Sequence, residues 1–160
     1  MTERLTHLDD AGRARMVGVG DKPETARGAI AEAWVQLSPH AFTLVVTGGG
    51  AKGDALQIAR ISGIAAAKRA ADLIPLCHPL RISKVELNAE PDAATHRVRL
   101  VARVEAVDRT GVEMEALTSA SVAALTLYDM IKAVDRSARI DGLRLLEKWG
   151  GRSGHYRADA

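Results

Sequence analysis

Glu24-Thr25-Ala26-Arg27-Gly28-Ala29-Ile30-Ala31-Glu32-Ala33-Trp34-Val35-Gln36-Leu37 is the stretch on which the fold turns. Its alanines favour a helix, whereas Ala29, Ala31, Ala33, Val35 and Leu37 alternate with Ile30, Glu32, Trp34 and Gln36 as in a half-buried strand. Local rules leave both readings open, but its surroundings are clearer. Ser38-Pro39 offers a hydroxyl cap and a first-turn proline, so a helix is expected to start there and run into Gly48-Gly49-Gly50. From Asp54 to Leu73 the spacing of Leu56, Ala59, Ile64, Ala67 and Ala71 predicts one helix, bent near Gly63. Residues 81–90 and 96–107 alternate apolar and polar, and Glu90-Pro91-Asp92 begins the turn of the hairpin they predict. Residues 112–135 carry the strongest helical pattern, and a short strand is expected over 143–148.

If 24–37 is a strand, the order becomes strand, helices, hairpin, helix, strand. That is the α+β, ferredoxin-like arrangement, a four-stranded antiparallel sheet with helices packed on one face. Apolar positions on the other face, Val101 and Val107 among them, would then need a partner subunit, so an oligomer is expected.

The chain has 160 residues, with 22 Lys and Arg against 20 Asp and Glu and a formal net charge of +2. This fits a single domain over 1–160, with residues 1–23 as a partly ordered arm and 151–160 as a flexible tail. The charge is too balanced to draw the chain onto a phosphate backbone, and 3% aromatic residues make a poor stacking platform, so nucleic acid is not an expected partner. The lone Cys77 rules out an internal disulfide and any zinc site of several thiolates. No apolar run approaches the roughly 18 residues of a membrane span, and the first residues do not read as a signal peptide, so a cytoplasmic protein is expected.

Three constellations can carry chemistry. Thr47-Gly48-Gly49-Gly50-Ala51-Lys52-Gly53-Asp54 can offer backbone N–H groups and an ammonium to a phosphate, but it lacks the Gly-Lys-Ser/Thr ending of a nucleotide-kinase loop. A solvated turn is the plain alternative. Leu76-Cys77-His78 sits between Pro75 and Pro79, which fix the chain around a thiol and an imidazole; a hydrogen-bonded structural role for His78 is the alternative. On the 112–135 helix, Met114, Leu117, Ser121, Leu125, Tyr128 and Lys132 share one face at about 100° per residue, with Asp129 at its margin. Lys132 there reads either as a snorkelling side chain or as a desolvated amine of lowered pKa that moves protons with Asp129. Glu113 and Glu115 read as ordinary helix-start acids. The five histidines show no ligand spacing, so an organic acid–base site is favoured over a metal. A non-catalytic module that binds a nucleotide or a pterin is the rival from another class.

These segments resemble one family over nearly the whole chain. The strings are KGDALQIARISGIAAAKRAADLIPLCHPL at 52–80, SKVEL at 83–87 and GVEMEALTSASVAALTLYDMIKAV at 111–134, extended by Leu5-Thr6-His7, Lys22, Thr25-Ala26-Arg27 and Gly150-Gly151-Arg152-Ser153-Gly154. The family is that of the C protein of molybdenum cofactor biosynthesis, the cyclic pyranopterin monophosphate synthases. The resemblance implies the ferredoxin-like fold, hence a strand at 24–37, and hexamers built as three dimers with each active site at a dimer interface. It implies conversion of 3′,8-cyclo-7,8-dihydroguanosine 5′-triphosphate to cyclic pyranopterin monophosphate with release of pyrophosphate. No protein cofactor is implied, and any magnesium would arrive on the triphosphate. Carried over by position, Asp129, Lys132 and Lys52 are the expected catalytic residues. Leu76, Cys77, His78, Met114 and Glu115 are expected to contact substrate, with Glu113, Lys22 and Arg27 beside them.

The chain also departs from the family pattern. Met16-Val17-Gly18-Val19-Gly20 stands where Met-Val-Asp-Val-Ser is usual, Trp149 where a small or polar residue is common, and Arg152 where lysine is usual.

Overall fold

The strand reading of the Ala-rich stretch is the one the chain adopts. In a computed structural model that describes residues 7–50 and 52–159, β1 (Thr25–Gln36) lies at the centre of the sheet, with a neighbour on each side. Residues 1–6 of the expected arm, Ala51 of the glycine-rich turn and Ala160 of the tail lie outside the described residues. The remaining elements are α1 (Pro39–Thr47), α2 (Ala55–Ala67), α3 (Ala70–Leu73), β2 (Ile82–Asp92), β3 (Arg97–Asp108), α4 (Glu113–Ile131), β4 (Arg139–Trp149) and β5 (Tyr156–Arg157). The sheet order is β2-β3-β1-β4-β5 and every pairing is antiparallel. Its four main strands follow the ferredoxin-like order, and the two-residue β5 adds an edge that the sequence reading lacked.

Tertiary packing overrides alanine's helix preference in β1. Ala29, Ala31, Ala33 and Val35 are fully buried and face α4, which answers with Ala116, Ala120, Ala123, Ala124 and Leu127. Small side chains on both surfaces let the helix lie close to the sheet. Val98, Leu100, Ala102, Val104 and Ala106 of β3 fill the same side, as their alternation predicts. Burying side chains of the size of Leu100 or Leu127 contributes about 1.5–3 kcal/mol each.

Several boundaries differ from expectation for identifiable reasons. The 54–73 helix does not bend at Gly63; α2 runs through it, and the break falls at Lys68-Arg69 before α3. Gly63 is instead a contact point, where a Cβ would stand 2.4 Å from Leu87 Cδ1 and 3.0 Å from the Ser119 carbonyl oxygen. β2 continues through Pro91, which an edge strand tolerates because no ladder donor is lost. The turn follows at Asp92, whose carboxylate accepts bonds from Ala94 N and Thr95 Oγ1. β4 starts at Arg139, earlier than expected.

The caps follow the sequence. Ser38 accepts a bond from Ala41 N, Asp54 accepts from Leu56 N and Gln57 N, and α1 closes on Gly48 in the left-handed region. The sheet face away from the helices is ionic rather than apolar. There Glu32 is clamped by Arg99 Nε at 2.6 Å and Arg144 Nε at 2.7 Å, and the guanidinium of Arg97 lies 4.6 Å from the Trp34 ring centre. Val107 remains exposed and Val101 half-buried. The outer helix face also exposes Ile58, Ile61 and Leu125.

Candidate active site

Helix α4 carries functional groups at both ends. Its 19 residues make a rod of about 28 Å at 1.5 Å per residue. At the C-terminal end, Lys132 Nζ lies 2.7 Å from Asp129 Oδ1, and Lys52 Nζ lies 3.6 Å from Asp129 Oδ2 and 3.3 Å from the Asp129 carbonyl oxygen. The glycine-rich turn thus delivers Lys52 to Asp129. Lys132 forms a hydrogen-bonded ion pair with Asp129, which pushes its pKa up and holds the Asp129 carboxyl down.

The reading of Lys132 as a desolvated amine of lowered pKa is therefore corrected for the single chain. Its side chain is 53% exposed, and the buried stripe of α4 runs one residue earlier, through Ala116, Ala120, Ala123, Leu127 and Ile131. At about 100° per residue this rotation turns Leu125 and Lys132 outward. The close approach of α2 at Gly63 and of β1 through its alanines sets the rotation, because only the Ala-lined face fits there.

At the N-terminal end of α4 the other candidates gather around two adjoining cavities. One, of about 550 Å³, is lined by Leu76, Cys77, His78, Met114, Glu113 and Lys22, together with His7, Val17 and Val19 of the arm. The second, of about 450 Å³, shares Lys22, Thr110, Gly111 and Glu113 with it and adds Arg27, Arg109, Lys148, Trp149, Arg152 and Ser153. Among the described residues, five cations thus surround one cavity and Glu113 is the only carboxylate lining it, itself paired with Lys148 at 3.0 Å. Such a cavity suits a polyanion, since several fixed cations share the charge of one ligand.

Local structure places these cations. Arg27 Nε donates to the Asp108 carbonyl oxygen at 2.8 Å, Arg109 Nη1 donates to the Gly20 carbonyl oxygen at 2.7 Å, and Lys148 Nζ donates to Ser153 Oγ at 2.7 Å. The altered arm therefore reaches the cavity through backbone and valine contacts, without the acid and hydroxyl usual at positions 18 and 20. Arg109 and Lys148 escaped the sequence reading. The signal was there in cations flanking glycines at the strand ends, in Arg109-Thr110-Gly111 and in Lys148-Trp149-Gly150-Gly151-Arg152.

Glu115 stands apart from the residues with which it was grouped. It is 2% exposed and lines neither large cavity; it accepts a bond from Cys77 Sγ at 3.5 Å and lies in the wall of a smaller space behind that thiol. Burial raises the Glu115 carboxyl above the ordinary range, and burial together with the Glu115 charge pushes the Cys77 thiol up to about 11. Cys77 is therefore a poor nucleophile at neutral pH. Among the described residues, no three His, Cys, Asp or Glu side chains converge to hold a metal ion.

A family model described as the MoaC family matches residues 16–151. The chain belongs to the MoaC family. Three curated relatives, each named cyclic pyranopterin monophosphate synthase, support this membership along nearly their whole length. One from Methylobacterium sp. (strain 4-46) is 58% identical over 155 residues, 97% of this chain and 97% of that protein. One from Thermomicrobium roseum is 57% identical over 155 residues, 97% of this chain and 93% of that protein. One from Chloroflexus aggregans is 54% identical over 157 residues, 98% of this chain and 95% of that protein. The MoaC family match begins at Met16 and ends at Gly151, so it includes both ends of α4, the Arg109 turn and the strand that carries Lys148.

Proposed function

We propose that this MoaC family member is a cyclic pyranopterin monophosphate synthase. It would convert 3′,8-cyclo-7,8-dihydroguanosine 5′-triphosphate to cyclic pyranopterin monophosphate and pyrophosphate, as a pyrophosphate-releasing lyase of the cytoplasm. The observation that carries this reading is the five-cation cavity beside the Leu76-Cys77-His78 segment, where a triphosphate and its attached ring system can lie side by side.

Lys22, Arg27, Arg109, Lys148 and Arg152 would hold the triphosphate and take up the charge that develops on departing pyrophosphate. His78, Met114 and Leu76 would face the purine-derived ring. The triphosphate can carry magnesium as part of the substrate, with Glu113 the carboxylate beside it.

The reaction also needs proton transfers as one ring opens and another closes, and attack of a sugar hydroxyl on the α-phosphorus. Lys52, Asp129 and Lys132 have the chemistry for it, with Asp129 orienting both amines. Along α4 Asp129 stands about 24 Å from Glu113 at the cavity, a gap too long for a purine nucleoside triphosphate to bridge. On this reading a second copy supplies Lys52, Asp129 and Lys132. This reading unites the two halves of the site at an interface, in keeping with a homohexamer built from dimers. Packing against a second copy would also strip water from Lys132, giving back the desolvated amine that the isolated chain lacks.

Incubating the protein with the cyclic triphosphate and following pyrophosphate tests the reaction. Stoichiometric release with formation of the cyclic monophosphate is expected; a protein that binds the triphosphate and never releases pyrophosphate would be a binding module instead. Subunit mixing tests the shared site. Neither Lys132→Met nor the double variant Arg27→Ala, Lys148→Ala should turn over alone, whereas mixed oligomers should recover about a quarter of the activity, since random pairing leaves one intact site in half of the dimers. Mixtures as inactive as their components would place the whole site in one subunit.

A further inference from the structure

Glu115 carries a carboxyl group at 2% exposure, and among the described residues no cation is bonded to it. Its Oε1 accepts the Cys77 Sγ–H at 3.5 Å, while its Oε2 is buried without a partner. The two residues face different spaces. Cys77 lines the large cavity with His78 and Met114, whereas Glu115 stands in the wall of a cavity of about 110 Å³, with Asp72 of α3, Lys68 at the end of α2 and Pro79 around it. At about 30 Å³ per molecule that space has room for about three waters, and Lys68 and Asp72 at its edge are exposed to solvent. An unpartnered buried oxygen costs about 1–3 kcal/mol, and a helix-start acid in a merely structural role would not need to be buried.

We propose that Cys77 and Glu115 form a proton relay joining the substrate cavity to the small cavity behind it and so to solvent. The relay rests on the synthase reading above, whose chemistry must move protons in a pocket closed off from bulk water. In the forward sense a proton from a ligand atom bonds to Sγ as the Sγ–H proton passes to Glu115 Oε1, and the proton held on Oε2 leaves to water in the small cavity. Three bonds to hydrogen break, at the ligand atom, Sγ and Oε2, and three form, at Sγ, Oε1 and a water of the small cavity. One proton has moved from ligand to solvent, and thiol and carboxyl both end neutral. The reverse sequence delivers a proton.

The surroundings suit these states. Burial and the neighbouring Glu113 on α4 raise the Glu115 carboxyl, and the Cys77 thiol, pushed up to about 11 chiefly by burial, is not a competing nucleophile. Of the other charged groups around the pair, Lys68 and Asp72 are exposed at the edge of the small cavity and His78 faces the large one.

The test combines turnover with two measurements on the ligand-free protein. Cys77→Ala cuts the relay, Cys77→Ser keeps a hydroxyl in it, and Glu115→Gln removes the acid. We expect Cys77→Ala to lower kcat at least about tenfold with KM little changed, Cys77→Ser to stay within about threefold of the parent, and the curved proton inventory of the parent in mixed heavy water to become linear in Cys77→Ala. Without ligand, the infrared spectrum should show a protonated-carboxyl band that Glu115→Gln abolishes, and iodoacetamide should alkylate Cys77 faster in that variant. Parental kcat and proton inventory in Cys77→Ala, or no protonated-carboxyl band in the parent, would overturn the relay. Failure of the parent itself to release pyrophosphate would overturn the synthase reading, and the infrared band would still decide the state of Glu115. If Glu115→Gln does not fold, Cys77→Ala and Cys77→Ser carry the test.

Discussion

Gly28 and Trp149 face each other across the β1–β4 pair, and the indole occupies the space a side chain on residue 28 would need. A Cβ built there would stand 1.9 Å from Trp149 Cζ2. The ring in turn lies under Arg103, whose guanidinium is 4.8 Å from its centre, and forms part of the wall of the five-cation cavity. Trp149, one of several positions at which the sequence departs from the expected family pattern, is thus fitted to a glycine on the neighbouring strand. We expect Gly28→Ala to destabilise the fold by about 2 kcal/mol, the scale of overpacking, and Trp149→Ala to relieve most of that loss in the double variant. Denaturant unfolding of the four proteins gives the coupling; additive losses would mean that the indole simply swings aside.

Glu32 gives the sheet an acid-sensitive clamp between β1, β3 and β4. Burial would raise its carboxyl, but Arg144 and Arg99 together hold it below the ordinary value of 4.5. A carboxyl depressed in the folded state stabilises fully above its unfolded pKa and loses that contribution as pH falls through its folded pKa. Glu32→Gln should therefore cost about 2 kcal/mol at pH 7, with the gap to the parent closing only below about pH 4.5. Thermal unfolding between pH 3 and pH 8 measures it, and a pH-independent difference would assign the loss to packing.

The fold was legible where one face of an element is buried against a continuous surface. The β3 alternation from Val98 to Ala106 and the cap at Ser38 reappear as read. β1 needed the family resemblance, because its alanines are chosen for the closeness of α4, a contact no local rule contains. The same cause hid the rotation of α4. Leu125 outweighs alanine in any apolar count, yet the tight α2–α4 and α4–sheet contacts admit only the alanines. For the candidate site, motif strings identified both ends of α4 but not their separation within one chain. Arg109 and Lys148 escaped because single cations at strand ends carry no periodicity.

The cation cavity should govern affinity more than rate. Lys148→Met removes one charge while keeping the stem, and it leaves Glu113 without its 3.0 Å partner. Pyrophosphate affinity should fall at least about tenfold, the scale of one lost charged hydrogen bond, and its salt dependence should become shallower. Isothermal titration at two salt concentrations checks both, and unchanged affinity would remove this cavity from the phosphate path. Arg109→Ala should do the same and also free the arm at Gly20, so proteolysis near residues 16–20 should quicken in that variant alone.

Lys132 discriminates most sharply between proton transfer and simple charge stabilisation. In the single chain it is half exposed and paired with Asp129, so Lys132→Met should leave the stability of the subunit little changed. The conversion rate should nonetheless fall at least about a hundredfold, the usual scale of a lost general acid or base. In the single chain Asp129 raises the Lys132 pKa, whereas loss of water at the proposed interface would act in the opposite sense. Asp129→Asn removes the main cause of the upward shift and should move any basic limb of the pH–rate profile to lower pH. Lys132→Arg tests the role directly, because a guanidinium keeps the charge and does not release its proton. Single-turnover measurements should find Lys132→Arg nearly as slow as Lys132→Met, with the triphosphate still bound by the five-cation cavity. A fast Lys132→Arg protein would make this residue a fixed charge beside the leaving group, and the proton transfers would then fall to Lys52.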